Sequence, residues 1–268
     1  AARKARSFAT ATLNRARRKL TALGAADYTE VSVEVMGDES HYGAFASGRD
    51  SREVVLKIAA KHTNPQALSL LLKEGSGLAL SAPPGLTLHV AGRPRPAPVV
   101  RLFSLLVPKT AVAIAVHCQG ESLDYVEPTN GDVNPVTPTV TPPPAPSEAG
   151  PMTTVLLRDI AWGRSGDKGD NANIGIIPRH RMLAPWLWQQ LTIATVRERF
   201  DHFVEGDIER FYLPGLGAIN LLLHQALGGG GIASLRNDPQ GKSYAQILLD
   251  CPITVPAHLL EELEHGSL

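Results

Sequence analysis

Apolar residues recur along this chain with two periods, and each period predicts an element where it holds. Leu13, Ala16, Leu20 and Leu23 fall at spacings of three, four and three, which makes one stripe of a helix. Gly24 stands where that helix should end. Val31, Val33 and Val35 alternate with Ser32 and Glu34, the pattern of a half-buried strand. Residues 54–59 predict a second strand. Asn64-Pro65 supplies an N-cap and a first helical residue, with Leu68, Leu71 and Leu72 facing inward and Gly75 as the stop. Further strands are predicted at 86–90, 99–107 and 111–116. Between them, 92–98 holds three prolines and reads as a loop or an edge.

Residues 127–151 interrupt the pattern. They include Pro128, Pro135, Pro138, Pro142, Pro143, Pro144, Pro146 and Pro151. Proline fixes φ and removes a donor, so neither a helix nor a ladder fits, and a semi-rigid tether is expected. A proline-rich ligand for an SH3-type domain is the sharper alternative. Beyond it the pattern resumes: a strand at 155–160, a polar loop at 163–173, and a strand at 174–177. Pro185 opens a helix carrying Ile193, Val196, Phe200 and Phe203, and a strand follows at 208–213. Pro214-Gly215 turns into a helix with Ile219, Leu222, Leu223 and Ala226 on one face, ended by four glycines at 228–231. A short strand at 232–235, a helix at 242–249 and a terminal helix at 256–263 complete the reading. Strands interleaved with helices predict a two-layer sandwich, a sheet on helices. The domains read as 1–126, a linker at 127–151, and 152–268.

Charge and cysteine content narrow the picture. The 26 basic and 26 acidic residues cancel, so no net field draws the chain to nucleic acid or to an anionic membrane. Residues 1–24 are locally basic, with seven Lys and Arg and no acid, but no nucleic-acid motif accompanies them. No apolar run reaches the roughly 20 residues that span a bilayer. Two cysteines, Cys118 and Cys251, are too few for a disulfide framework, which points to a reducing, cytoplasmic setting. The chain opens on Ala1 directly in helix-like sequence and is expected to be part of a longer protein.

Two constellations could carry chemistry. Residues 163–173 read Gly-Arg-Ser-Gly-Asp-Lys-Gly-Asp-Asn-Ala-Asn. Glycines admit close backbone approach, such loops form anion-binding nests, Lys168 adds charge, and Asp167 or Asp170 could handle a proton or a metal. A wide solvated turn is the plain alternative. Residues 228–242 hold four glycines, then Arg236, Asp238, Gln240 and Lys242. Arg236 could grip a carboxylate or phosphate, or simply pair with Asp238. Asn220 and His224, four apart, are expected on one helix face, where they could orient a substrate. The histidines lack metal-ligand spacing. Neither a Walker A loop, a dinucleotide fingerprint nor a nucleophile elbow is present.

Residues 158–179, with Arg164-Ser165-Gly166-Asp167-Lys168-Gly169-x-Asn171-Ala172-Asn173-Ile174-Gly175, resemble the C-terminal domain of the acyclic terpene utilisation family, AtuA. Tyr212-Leu213-Pro214, Ala218-Ile219-Asn220, Leu223-His224, the glycine run and Ser234-x-Arg236-x-Asp238-x-Gln240-Gly241-Lys242 continue the resemblance in order. The segment from Arg15 to Met36, then Gly37 and Ser40, resembles the end of the family's large N-terminal domain. Asp170 departs from it, standing where the family more often has Gly, and 75–98 match weakly. The resemblance implies an α/β fragment followed by a ferredoxin-like α+β sandwich. It also implies a catabolic enzyme component in terpenoid or branched-acid degradation, acting on or binding an acyl-CoA or carboxylate. In that reading Asp167, Lys168, Asp238 and His224 are the catalytic candidates. Ser165, Gly166, Gly169, Asn171, Asn173, Asn220, Gly229, Gly230, Arg236, Gln240 and Lys242 would bind the substrate, with both glycine loops facing one cleft. No cofactor is assigned. The alternative is a non-catalytic assembly module that makes a homo-oligomer or docks a partner subunit.

Overall fold

The computed structural model describes all residues except 48–50, 83, 89–91, 93, 126–138, 147–149 and 265–268. The chain divides into two compact units, Ala1–Arg101 with Thr141–Leu268, and Leu102–Val140.

In the first unit, helix α1 (Ala2–Ala22) buries Leu13, Ala16 and Leu20, the predicted stripe, while Leu23 stays exposed as the C-cap. Gly24 at φ +68° lets its N–H reach Thr21 and the Ala25 N–H reach Leu20. These two bonds form a Schellman ending. Strands β1 (Glu30–Met36) and β2 (Val55–Lys61) pair antiparallel, with Glu34 opposite Lys57. Helix α2 (Pro65–Ala79) starts as expected, Asn64 Oδ1 accepting from Gln66 N–H at 2.9 Å. It continues through Gly75 to Ala79; its buried residues, Ala67, Leu71 and Glu74, all precede the glycine, and beyond it Leu78 and Ala79 are half-buried. Tyr28 closes this small core by donating its hydroxyl to the Ala67 carbonyl at 3.2 Å. The basic residues of α1 are partly paired: Arg15 and Lys19 both reach Glu74, which is 3% exposed, and the two cations hold its carboxyl below the usual range.

The predicted strands at 99–107 and 111–116 do not form, nor do residues 86–88 join a strand; 89–90 lie outside the described residues. In the second unit, β3 (Val116–Cys118) and β4 (Glu121–Leu123) make a hairpin turned by Gln119-Gly120, both at positive φ, the type I′ signature. Of the expected tether, 126–138 and 147–149 lie outside the described residues, and 139–146 contain neither helix nor strand.

The remainder begins with β5 (Met152–Leu156), which pairs with β10 (Pro252–Pro256). The strand expected at 155–160 is therefore split, its second half being the helical turn α3 (Leu157–Ile160) with Leu157 and Ile160 buried. The expected loop at 163–173 is instead a hairpin. β6 (Ala161–Lys168) and β7 (Asn171–Pro178) pair along eight positions, and only Gly169-Asp170 turn. Gly169 at φ +70° in the first turn position suits a type II′ hairpin.

Two helices follow rather than one, α4 (Ala184–Gln190) and α5 (Ile193–Phe200), separated where Thr192 caps α5 through its hydroxyl. β8 (Ile208–Leu213) forms as predicted. The expected helix bearing Ile219 and Leu223 is a strand, β9 (Ala218–Leu223), with Ile219, Leu221 and Leu223 buried at period two. The expected strand at 232–235 is a 3-10 turn at Gly231–Ala233. Helix α6 (Tyr244–Leu249), β10 and α7 (Ala257–Glu264) finish the chain.

The sheet order is β6-β7-β9-β8, all antiparallel. One face packs Ile174, Ile176, Leu221 and Leu223 against Leu187, Phe200, Tyr244 and Leu248 of the helices. Among the described residues, no helix layer covers the other face.

Candidate functional site

The two glycine-bearing segments meet. The Asp170 carboxylate accepts from Gly229 N–H at 2.7 Å, and its carbonyl accepts from Ala226 N–H at 2.9 Å. Gly228, Gly229, Gly230 and Gly231 all take positive φ. At Gly230 a Cβ would overlap the Gly169 carbonyl, so the two turns approach as closely as backbone allows. Asp170 is thus an anchor for the glycine run.

Several candidate residues are engaged in holding this junction. Ser165, 7% exposed, donates its hydroxyl to the Gly241 carbonyl at 2.6 Å and accepts from Ala245 N–H at 2.8 Å. Arg236 reaches the carbonyls of Ala226 and Phe203 and the Tyr244 hydroxyl, and lies over the Phe203 ring. It does not pair with Asp238. Burial pushes the Tyr244 hydroxyl up to about 12, with Arg236 opposing. Asp238 closes the turn before α6, accepting from Lys242 N–H at 2.9 Å, Ser243 N–H at 2.7 Å and the Ser243 hydroxyl at 2.7 Å. Burial alone would raise its pKa. The bonds from Ser243, Lys242 and the Gln240 N–H outweigh burial and hold it below the ordinary carboxylate value. A carboxylate so held is a poor general acid.

The other candidates lie on the bare sheet face or at its end. Because Ala172, Ile174 and Ile176 point into the core, Asn173, Gly175 and Ile177 point away from it. Through the pairings Arg164–Gly175–Asn220–Phe211 and Gly166–Asn173–Leu222–Glu209, the face is arranged in rows across the sheet. Asn173 donates its amide to Asn220 at 2.6 Å in the middle of it. Asn220 and His224 therefore share a strand face, not a helix face. Lys168 is exposed at the hairpin end, and the Lys242 ammonium lies 3.3 Å from where a Cβ of Gly166 would stand. His224 Nε2 contacts Glu209 Oε1 at 2.6 Å. With Asn171, Glu205 and Asp207 these two line an open cleft of about 550 Å³. Asp167 is half-buried on the helix side of β6, away from Lys168. Among the described residues, no group of three or more His, Cys, Asp or Glu could hold a metal.

A second junction escaped the sequence reading. Glu34 is 7% exposed, and its carboxylate accepts from Asn237 N–H at 3.0 Å, with His41 Nε2 at 3.2 Å and Lys57 Nζ at 3.3 Å. Lys57 also donates to the Leu235 carbonyl at 2.9 Å, and His202 Nε2 donates to the His41 carbonyl at 2.8 Å. The only sequence signal was a polar alternation in β1, which reads equally as a wet face.

Among the described residues, no helix is long and apolar enough to cross a membrane. No curated protein and no solved structure matches the chain significantly. Residues 155–254 match the AtuA ferredoxin-like domain, in keeping with the antiparallel sheet and helices found there. Residues 1–118 match the acyclic terpene utilisation family protein AtuA. With both matches in chain order and covering most of its length, the chain belongs to the acyclic terpene utilisation (AtuA) family.

Proposed function

We propose that the chain serves terpenoid or branched-acid degradation in the cytoplasm, and that residues 152–268, tethered through 127–151, act there as an assembly module. The observation that carries this reading is the bare face of the four-stranded sheet. Trp162, Ile177, Phe211 and Leu213 stand on it, 54%, 41%, 43% and 42% exposed. Apolar side chains gathered on one uncovered face mark a surface for another protein. The charged groups at the glycine loops argue the same way. Arg236 and Asp238 have their hydrogen bonds within the fold and have little left for a substrate. Light scattering over a wide concentration range tests the reading. A self-associating chain is expected, and a chain monomeric throughout overturns it.

One observation favours a second reading, in which an acyl-CoA or carboxylate ligand binds at the hairpin end. Lys168 has no ion pair among the described residues, and Lys242 stands over Gly166. Asn171, Asn173 and His224 lie on the same side. Thermal-shift titration with coenzyme A, branched acyl-CoA esters and free acids discriminates. Binding to the native state must raise the transition with concentration, and a Lys168→Ala, Lys242→Ala variant should lose that rise. No shift with any of these ligands would end the second reading.

A further inference from the structure

The bare face is polar in one direction. Its β6 edge is basic, with Arg164 and Lys168 both exposed and without an ion pair among the described residues. Its β8 edge is acidic, with Glu205, Asp207 and Glu209 all exposed. The registers fix which residues share a row. Arg164 is level with Phe211, and Gly166 with Glu209. Extended by one position beyond each end of the β7–β9 ladder, the same register sets Trp162 level with Leu213, through Ile177 and Ala218, and Lys168 level with Asp207, whose carbonyl accepts from His224 N–H just before β8.

Two ways of stacking this face on a copy of itself give opposite electrostatics. A two-fold axis across the strands lays β6 on β6 with the rows reversed, so that the basic edges carrying Arg164 and Lys168 meet each other. An axis parallel to the strands exchanges the edges and keeps the rows. Resting on the assembly reading above, we propose that the occupant of this face is a second copy of the chain, packed about a two-fold axis parallel to the strands. Lys168 then faces Asp207 of the other copy, Arg164 faces Phe211, and Trp162 faces Leu213. The contact is isologous and closes at two copies. Three of the four edge-row pairs are matched in kind: an ion pair, a cation over an aromatic ring, and two large apolar groups; the fourth sets Gly166 opposite Glu209. Aligned sheets pack at about −30°, so the match is tightest at the central rows and relaxes towards the ends.

The size of the face sets the strength. Four strands at about 4.8 Å spacing and six residues at about 3.4 Å rise give a patch roughly 20 Å square. That is small beside the roughly 800 Å² per partner of a standard interface, so a reversible, concentration-dependent dimer is expected.

Sedimentation equilibrium on the full chain tests this. Trp162→Asp should raise the dissociation constant by more than about tenfold. Lys168→Glu and Asp207→Lys should each weaken the dimer, and the double variant should restore it, because each copy then offers the reversed charge to the other. All three positions are exposed, and unchanged circular dichroism and melting would verify the fold. A dimer indifferent to these changes, or a charge swap that does not restore it, overturns the proposal while leaving the assembly reading in place. A chain monomeric at every concentration overturns both. So does a monomer whose face is occupied instead by an acyl-CoA ester.

Discussion

Gly230 sits with its Cα against the carbonyl of Gly169, at a separation that leaves no room for a side chain. Two turns some 60 residues apart in sequence are locked together at that point, with Asp170 bonded to Gly229 beside it. Gly230→Ala should therefore cost both the left-handed φ of +68° and the overlap, roughly 2–4 kcal/mol. Gly231→Ala, at φ +49° with open space around it, should cost only about 1–2 kcal/mol. Urea unfolding of both variants checks the difference, and equal losses would mean that the close approach is unimportant.

Ser165→Ala leaves the Ala245 N–H and the Gly241 carbonyl without their buried partner. A loss of about 1–3 kcal/mol in unfolding free energy is expected. Because the hydroxyl ties β6 to the start of α6, hydrogen exchange should rise first in that helix. Protection unchanged in α6 would contradict the assignment of Ser165 as a tie.

Asp238 makes stability depend on pH in a defined direction. Its folded value lies below the unfolded 3.8, so on acidification the unfolded chain takes up the proton first. The stabilisation is complete above about 3.8 and is lost as pH falls towards the folded value. Asp238→Asn should flatten that part of the stability-against-pH curve, as measured by urea midpoints in acidic buffers. A curve of unchanged slope in the variant would remove Asp238 as its source.

Glu34→Ala removes a buried carboxylate that faces Lys57 and His41 and accepts from Asn237. Lys57 is a third exposed and keeps the Leu235 carbonyl, so the main loss is the buried acceptor of Asn237 N–H, and a cost of about 1–3 kcal/mol is expected. Glu34→Gln keeps an acceptor for the Asn237 N–H and should cost less. Chemical denaturation of the two variants gives the comparison, and near-equal losses would show that charge matters little there.

Much of the N-terminal part was legible because its elements follow one rule each: the stripe of α1, the alternation of β1, and the Asn64-Pro65 start of α2. The hairpin β6–β7 was not, because inward positions of β6 are small. Gly163 and Ser165 stand where a strand usually shows Val or Ile, and a Cβ at Gly163 would crowd Leu249 and Ile176 at 3.1 Å. Turn-forming residues thus form a strand under a crowded helix. β9 was misread for the opposite reason: in Ile219-Asn220-Leu221-Leu222-Leu223 both periods find apolar residues. The two glycine-bearing segments do come together. Which of their charges stay free could not be read, since the carbonyls that occupy Arg236 belong to Ala226 and Phe203, brought near only by the fold.

The Glu34 junction bears on how such a protein can be inherited. One carboxylate from the segment matching the large AtuA domain is satisfied by a backbone N–H within the segment matching its ferredoxin-like companion. A recombination that exchanged either segment for a foreign one would bury that charge against the wrong surface. The proline-rich stretch looks like a natural seam for shuffling, yet the two sides are expected to descend together and to change as a pair across it.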